Sequence, residues 1–180
     1  LRVLHSGWYI LGPEVKKFEE KFAEKMGARH CIAVNSGTDA LILALRALGI
    51  GKGDEVLVPS GSYIASVIGV TENGAQPEYV DSDEFMLMDP EKIEERITPQ
   101  TRAILPVHMY GQACDMEKIS EIARKYDLFL VEDCAQSHGA KVGNKYTGTF
   151  GKIGCFSFYP TKPLGAMGDG GALLTDDDKL

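Results

Sequence analysis

The chain has 180 residues, 44% hydrophobic and 25% charged, and its 19 Lys and Arg against 26 Asp and Glu leave a net charge of -7. This is the composition of a globular protein long enough to bury roughly 68–70% of its unfolded surface, and an acidic balance excludes a broad cationic footprint for nucleic acid or an anionic membrane. Cys31, Cys114, Cys134 and Cys155 show neither CxxC spacing nor pairing with histidine, so reduced thiols in a cytoplasmic setting are expected, without a bound metal or a disulfide framework. The longest apolar stretch, Ala40 to Ile50, is too short for a bilayer and is broken by Arg46; no signal-peptide core precedes it. A first residue of Leu and an end in DDDKL predict a fragment of a longer protein.

Val15, Phe18 and Phe22 share one face of a helix predicted over Pro13 to Lys25, with Lys and Glu opposite. Cys31 to Val34 reads as a strand, followed by the turn NSGTDA and a helix carrying Leu41, Ala44, Leu45 and Leu48 that Gly49 terminates. The alternation continues with a strand at Glu55 to Val58, a helical stretch from Tyr63 to Val70 and a strand at Pro77 to Val80. Asp89-Pro90-Glu91 carries an N-cap and a first-turn proline, which predicts another helix. Arg102 to Val107 reads as a strand, Asp115 to Tyr126 as a helix with Met116, Ile119, Ile122 and Ala123 inward, and Asp127 to Glu132 as a strand. Beyond Lys141 the chain is rich in glycine and turns, with short strands at Gly154 to Phe158 and Gly171 to Leu174, and loops at the end of the sheet are expected there. Short apolar strands alternating with amphipathic helices predict a single α/β domain whose mostly parallel sheet has helices on both faces. Ligands of such sheets bind beyond the carboxyl ends of the strands.

Four segments follow predicted strands and meet at that edge. In NSGTDA, Ser36, Gly37 and Thr38 open a helix whose free N–H groups favour phosphate, although an ordinary N-cap reads equally well; neither a Walker pattern nor GxGxxG is present. PSGSYIAS offers Tyr63 as an aromatic face or as a core residue. In VEDCAQSHGA, Glu132 and Asp133 point to opposite faces of their strand, so they are not an acid/base pair, and a carboxylate in so buried a place needs a cation or a proton. In SFYPTKPLGAMGDGG, Lys162 has no acidic neighbour within four positions and follows an apolar run, the setting of a desolvated amine that forms Schiff bases. Ser157, five residues earlier, is an anion ligand or a strand hydroxyl bonded to its own backbone.

With SGTDAL, VEDCAQSHGA and SFYPTK in this order, and SGWYILGPE, GKGDEVLVPS, PVHMYGQACDM and GDGGALLTD around them, the sequence resembles the DegT/StrS-like nucleotide-sugar aminotransferases along nearly its whole length. The resemblance implies an aspartate-aminotransferase-like large domain of fold type I, of which residues 1–180 are the N-terminal part, with the remaining large-domain structure and a small C-terminal domain absent. It implies pyridoxal 5'-phosphate as cofactor. Lys162 matches the lysine that attaches to it and shuttles a proton, Asp133 the partner of its ring nitrogen, Gln136 a hydrogen bond near its ring oxygen and Tyr63 the stacked aromatic. Gly37, Thr38, the N–H of Asp39 and Ser157 match its phosphate site. Trp8, Tyr9, His108 and His138 lie in segments that border the sugar-nucleotide site in the family. The implied reaction moves an amino group from an amino acid, usually glutamate, to a nucleotide-linked keto-sugar within a cytoplasmic homodimer. Pro163, where most relatives carry Asn, departs from the pattern and bears on loop geometry. A dehydratase relative, a non-catalytic regulatory or binding member of the same fold and a nicotinamide enzyme are the alternatives; Lys162 speaks against the first, Lys162 with Asp133 and Gln136 against the second, and the missing glycine fingerprint against the third.

Overall fold

A computed structural model describes residues 1–180. Helices α1 (Arg2–Ser6) and α2 (Pro13–Met26) lead into β1 (His30–Val34), α3 (Gly37–Ala47), β2 (Glu55–Pro59), α4 (Ile64–Thr71) and β3 (Gln76–Val80). Then come β4 (Thr101–Ile104), α5 (Met116–Lys125), β5 (Phe129–Asp133), the small strands β6 (Lys141–Val142) and β7 (Lys145–Tyr146), β8 (Ile153–Ser157) and β9 (Gly171–Thr175). The seven-stranded sheet has the order β1-β9-β8-β5-β4-β2-β3, with β6 and β7 forming a separate ribbon. From β8 to β3 every pairing is parallel, while β9 runs antiparallel to both of its neighbours. All strands but β9 therefore end on one edge. There Gly171, at the start of β9, pairs with Val34 on one side and Ser157 on the other.

Runs of consecutive buried residues, as in Val56–Pro59, Leu130–Asp133 and Ile153–Ser157, occur where both faces of a strand are covered. Helix α3 starts because Ser36 Oγ accepts the Asp39 N–H at 3.0 Å, and it ends at Leu48 with Gly49 in the left-handed region at φ 73. Asp115 caps α5 in the same way through the Lys118 N–H at 3.2 Å, and Met116, Ile119 and Ala123 face the sheet side. Helix α2 packs through Phe22 against Phe156 and Phe158 in edge-to-face contacts with centroids 5.1 and 5.5 Å apart. Gly69 of α4 lets that helix lie directly on α3, since a Cβ there would stand 2.7 Å from Leu41 Cβ.

Three expectations change. The segment opened by Asp89 forms two single 3-10 turns, Pro90–Lys92 and Glu94–Arg96, instead of a helix. Asp89 does cap, accepting the Glu91 N–H at 3.0 Å, but the segment is far shorter than the ~12–15 residues at which helices sustain themselves, and it is pinned by buried Ile93. The strand predicted from Asp127 begins at Phe129, because Asp127 sits at φ 53 in the turn that closes α5. Strand β4 stops at Ile104, short of Pro106, which has no N–H to continue the ladder. The strands expected at Gly154 to Phe158 and Gly171 to Leu174 are β8 and β9; both lie in the body of the sheet, with every residue buried.

Candidate functional site

At the shared carboxyl edge, the four segments that follow β1, β2, β5 and β8 enclose one cavity of ≈ 350 Å³. Gly37 and Thr38 from the start of α3, Tyr63, Asp133, Gln136, Ser157 and Lys162 all line it. Residues scattered over much of the chain meet there because a parallel sheet delivers successive strand ends to the same side.

The α3 wall is held by close backbone approach. A Cβ on Gly37 would stand 2.5 Å from Ser157 Cβ, and one on Gly171 would stand 2.2 Å from the Ser36 carbonyl oxygen, so helix start and strand ends touch without side chains between them. The N–H groups of Gly37 and Thr38, at the first two positions of α3, lack intrahelical acceptors, and the helix dipole adds partial positive charge there. With the Ser157 hydroxyl beside them they form a cradle for a phosphate or other oxyanion. Asp39 does not join them. Its N–H bonds Ser36 Oγ and its carboxylate accepts from Ser36 Oγ and Asn35 Nδ2, so the N–H expected to meet phosphate is occupied in this structure.

Asp133 ends β5 and is 4% exposed. Ser66 Oγ donates to its Oδ2 at 2.9 Å and the Ala135 N–H to its Oδ1 at 3.1 Å. Burial pushes its carboxyl above the ordinary carboxylate range, against the downward pull of these two hydrogen bonds and of the Lys162 charge. A buried carboxyl of this kind, facing a cavity with no cation in contact, fits a ligand that presents a protonated nitrogen. Ser66 is a site residue that the sequence reading missed; the signal was a lone hydroxyl in the apolar helix IASVIGVT.

Lys162 is half-buried, and its Nζ has neither an ion-pair nor a hydrogen-bond partner in the structure. Its backbone N–H bonds the Tyr159 carbonyl at 2.8 Å, and Ala166 N–H bonds Phe158 O at 2.7 Å, which folds the loop tightly over the end of β8. Pro163 is exposed and borders, with Lys162, His138 and Gln136, a second, open recess on the far side of Lys162. Gln136 is oriented by the Tyr110 N–H, which donates to its Oε1 at 2.7 Å. Tyr63, at the N-cap of α4 and 68% exposed, presents its ring at the cavity. Tyr159, Thr161 and Asp169 also line the cavity and were not singled out from sequence, because residues of a loop without periodicity give no local sign of direction.

The remaining expected residues do not line this cavity. Trp8 and Tyr9 are exposed beside a separate groove against α2, where Trp8 Nε1 donates to Ile10 O at 2.8 Å. His138 is wedged between the rings of Phe156 and Phe158, each 5.5 Å away, and burial first, then the Lys162 charge, pushes its pKa below the usual histidine value. His108 is fully buried and does not reach the cavity: Val107 and Met109 line it while the side chain between them turns to the other face. All four cysteines are free; burial pushes the Cys134 thiol up to about 11 and Cys31 up to about 12, which keeps both protonated. No helix is long and apolar enough to cross a membrane.

Comparison with known proteins extends these observations. Over 180 residues the chain is 57% identical to a dTDP-3-amino-3,6-dideoxy-alpha-D-galactopyranose transaminase of Aneurinibacillus thermoaerophilus, covering 99% of this chain and 50% of that protein. It superposes with a TM-score of 0.96 on the crystal structure of DesV from S. venezuelae in complex with a ketimine intermediate, at 51% identity over 99% of this chain and 48% of the other. A Bacillus subtilis structure with bound cofactor PMP aligns with a TM-score of 0.93 at 41% identity, over 99% and 40% of the two chains. The chain thus spans about half the length of the curated relatives it matches. Its fold is that of the fold-type I aminotransferases, with the mostly parallel sheet expected from sequence. The family model matches residues 1–180, from the exposed first helix to the last residue after β9, and the chain belongs to the DegT/DnrJ/EryC1/StrS aminotransferase family.

Proposed function

We propose that the protein carrying this chain is a pyridoxal-phosphate-dependent aminotransferase that moves an amino group from an amino acid, glutamate by preference, to a nucleotide-linked keto-sugar. The carrying observation is the convergence in one cavity of an unpartnered Lys162 amine, a buried Asp133 carboxyl and the α3 anion cradle. These residues fit the cofactor's three polar groups. Gly37, Thr38 and Ser157 would hold its phosphate, Asp133 its protonated ring nitrogen and Tyr63 a face of its ring, with Gln136 near the ring oxygen. When bound, pyridoxal phosphate supplies an electron sink that lets a hydrogen on the amine-bearing carbon leave as a proton.

The chain's own part is orientation and proton transfer. Asp133 would keep a proton on a bound ring nitrogen, because loss of that proton would leave a buried carboxylate facing no positive partner. Lys162 Nζ, which has no partner of its own, would attach the cofactor and, as a free amine, would move the proton between the substrate carbon and the cofactor. One amine is thereby accepted from the donor and passed to the keto-sugar in two half-reactions, which predicts ping-pong kinetics. The names of relatives, among them a UDP-2-acetamido-2-deoxy-3-oxo-D-glucuronate aminotransferase and a GDP-perosamine synthase, support a nucleotide-linked sugar as acceptor. A cytoplasmic homodimer is part of the same reading.

The test is to incubate the full-length protein with pyridoxal phosphate, reduce with borohydride and map the modified peptide by mass. Attachment at Lys162, with the visible band bleached by glutamate before reduction, is expected. No adduct, or adducts scattered over surface lysines such as Lys118 and Lys125, would refute it. A 44% identical relative is named a pleiotropic regulatory protein, which keeps a regulatory role as the second reading; a Lys162 adduct that no amino acid bleaches would favour it.

A further inference from the structure

Glu132, the neighbour of Asp133 in β5, is 0% exposed and belongs to the opposite face of the strand. Four donors converge on it: the N–H groups of Phe150 and Gly151 on Oε1 and that of Gly148 on Oε2, each at 2.7 Å, and His108 Nε2 on Oε2 at 3.1 Å. That is the full acceptor capacity of a carboxylate. Two of the three loop donors are glycines for a steric reason: a Cβ on Gly148 would stand 2.5 Å from Phe156 Cζ, and one on Gly151 would stand 2.3 Å from Leu130 O. The His108 ring is held at its other end too, where Nδ1 accepts the Cys114 N–H at 3.1 Å; this places the ring proton on Nε2, toward Glu132.

The His108 backbone then acts on Asp133. Regular pairing of β4 with β5 ends at Ile104 and Leu130, and beyond it two bonds remain on that side of β5. The Asp133 N–H donates to Pro106 O at 2.9 Å, and the His108 N–H donates to Asp133 O at 3.1 Å. We infer that Glu132 and His108 are a positioning pair for Asp133: the Glu132 carboxylate locks the His108 ring, and the His108 backbone clamps the Asp133 peptide, so that its carboxyl stands at a fixed depth in the cavity. Neither residue touches the ligand space. The pair's consequence for a bound ring nitrogen rests on the cofactor reading proposed above; the clamp on the Asp133 peptide does not.

The test compares two variants of the full-length protein. H108N keeps an acceptor near the place of Nδ1 but is too short to reach Glu132, whereas H108Q carries an amide donor near the place of Nε2. In H108N, hydrogen exchange of the Asp133 amide should accelerate and affinity for pyridoxal phosphate should fall, each by about tenfold, the low end for losing a hydrogen bond to a charged group. The ratio of the two visible absorption forms of the bound cofactor at fixed pH should change with them, and H108Q should restore all three toward wild type. Unchanged exchange and affinity in H108N would overturn the inference. So would a folded H108Q as impaired as H108N, which would mean a packing role only; this arm decides the matter even if H108N does not fold. If wild-type protein shows no visible band, the cofactor reading itself fails, and slow exchange of the wild-type Asp133 amide still separates that failure from failure of the clamp.

Discussion

Substituting Gly37 by alanine sets two local effects against each other. Alanine is better than glycine inside a helix by about 0.8–1.0 kcal/mol, so propensity alone predicts a more stable protein. The new Cβ, however, would lie 2.5 Å from Ser157 Cβ and 3.0 Å from its Cα and Oγ. Carbon atoms rest about 3.5–4.0 Å apart, so about 1 Å must open between the start of α3 and the end of β8. Overpacking of this kind costs about 1–3 kcal/mol. The net is a loss of about 1 kcal/mol, or about 2–4 °C in Tm at this chain length. The effect on binding is larger, because the same displacement pulls the Gly37 and Thr38 N–H groups away from the Ser157 hydroxyl; a misplacement of ~1 Å in a preorganised site costs about 100-fold. Spectroscopic titration with pyridoxal phosphate, with inorganic phosphate as competitor, measures this directly. A raised Tm together with an affinity within twofold of wild type would refute the cradle and the close contact that defines it.

Replacing Asp133 by asparagine should stabilise the cofactor-free protein at neutral pH while abolishing transamination. Its folded pKa is raised above the ordinary carboxyl value of about 3.8, so the folded state favours the protonated form and the wild type loses stability as pH rises through the folded value. The gain in D133N should therefore be present at pH 7 and vanish below the ordinary carboxyl value of about 3.8, which thermal melts across pH will show. S66A removes the 2.9 Å donor to Asp133 Oδ2 and pushes that carboxyl further up; affinity for pyridoxal phosphate should fall about tenfold or more by the same titration. K162A should eliminate the borohydride-stable adduct and leave stability within about 0.5 kcal/mol in a melt, since Nζ has no partner to lose.

What could be read without coordinates was what local pattern encodes. Alternation along a strand separated Asp133 from Glu132, the Ser36 cap placed the start of α3, and strand ends followed by glycine, serine or lysine pointed to one edge. What could not be read depends on distances between segments. Nothing in IASVIGVT says that Ser66 meets a residue 67 positions away, and nothing in PVHMYG says that His108 turns from the cavity its two neighbours line. That the Asp39 N–H is occupied by Ser36 Oγ could not be read either, because the cap that makes the helix start legible is what takes it. Strand β9 was expected, but not its direction, which its partners set: the return from β8 inserts it antiparallel beside β1.

That insertion governs the order in which the chain becomes a protein. Strand β1 lies at the rim of the sheet and its only ladder partner is β9; the Arg29 N–H, just before it, bonds Asp176 Oδ1, 147 positions downstream. At ~5–20 residues per second on the ribosome, β1 waits roughly 7–30 s for that partner to be made. In the folded chain Glu19 Oε1 of α2 takes the Ala33 N–H at 2.8 Å, a contact between near neighbours in sequence that does not depend on β9. The anion cradle at the end of β1 is thus joined to the Lys162 loop only after β9 has been synthesised.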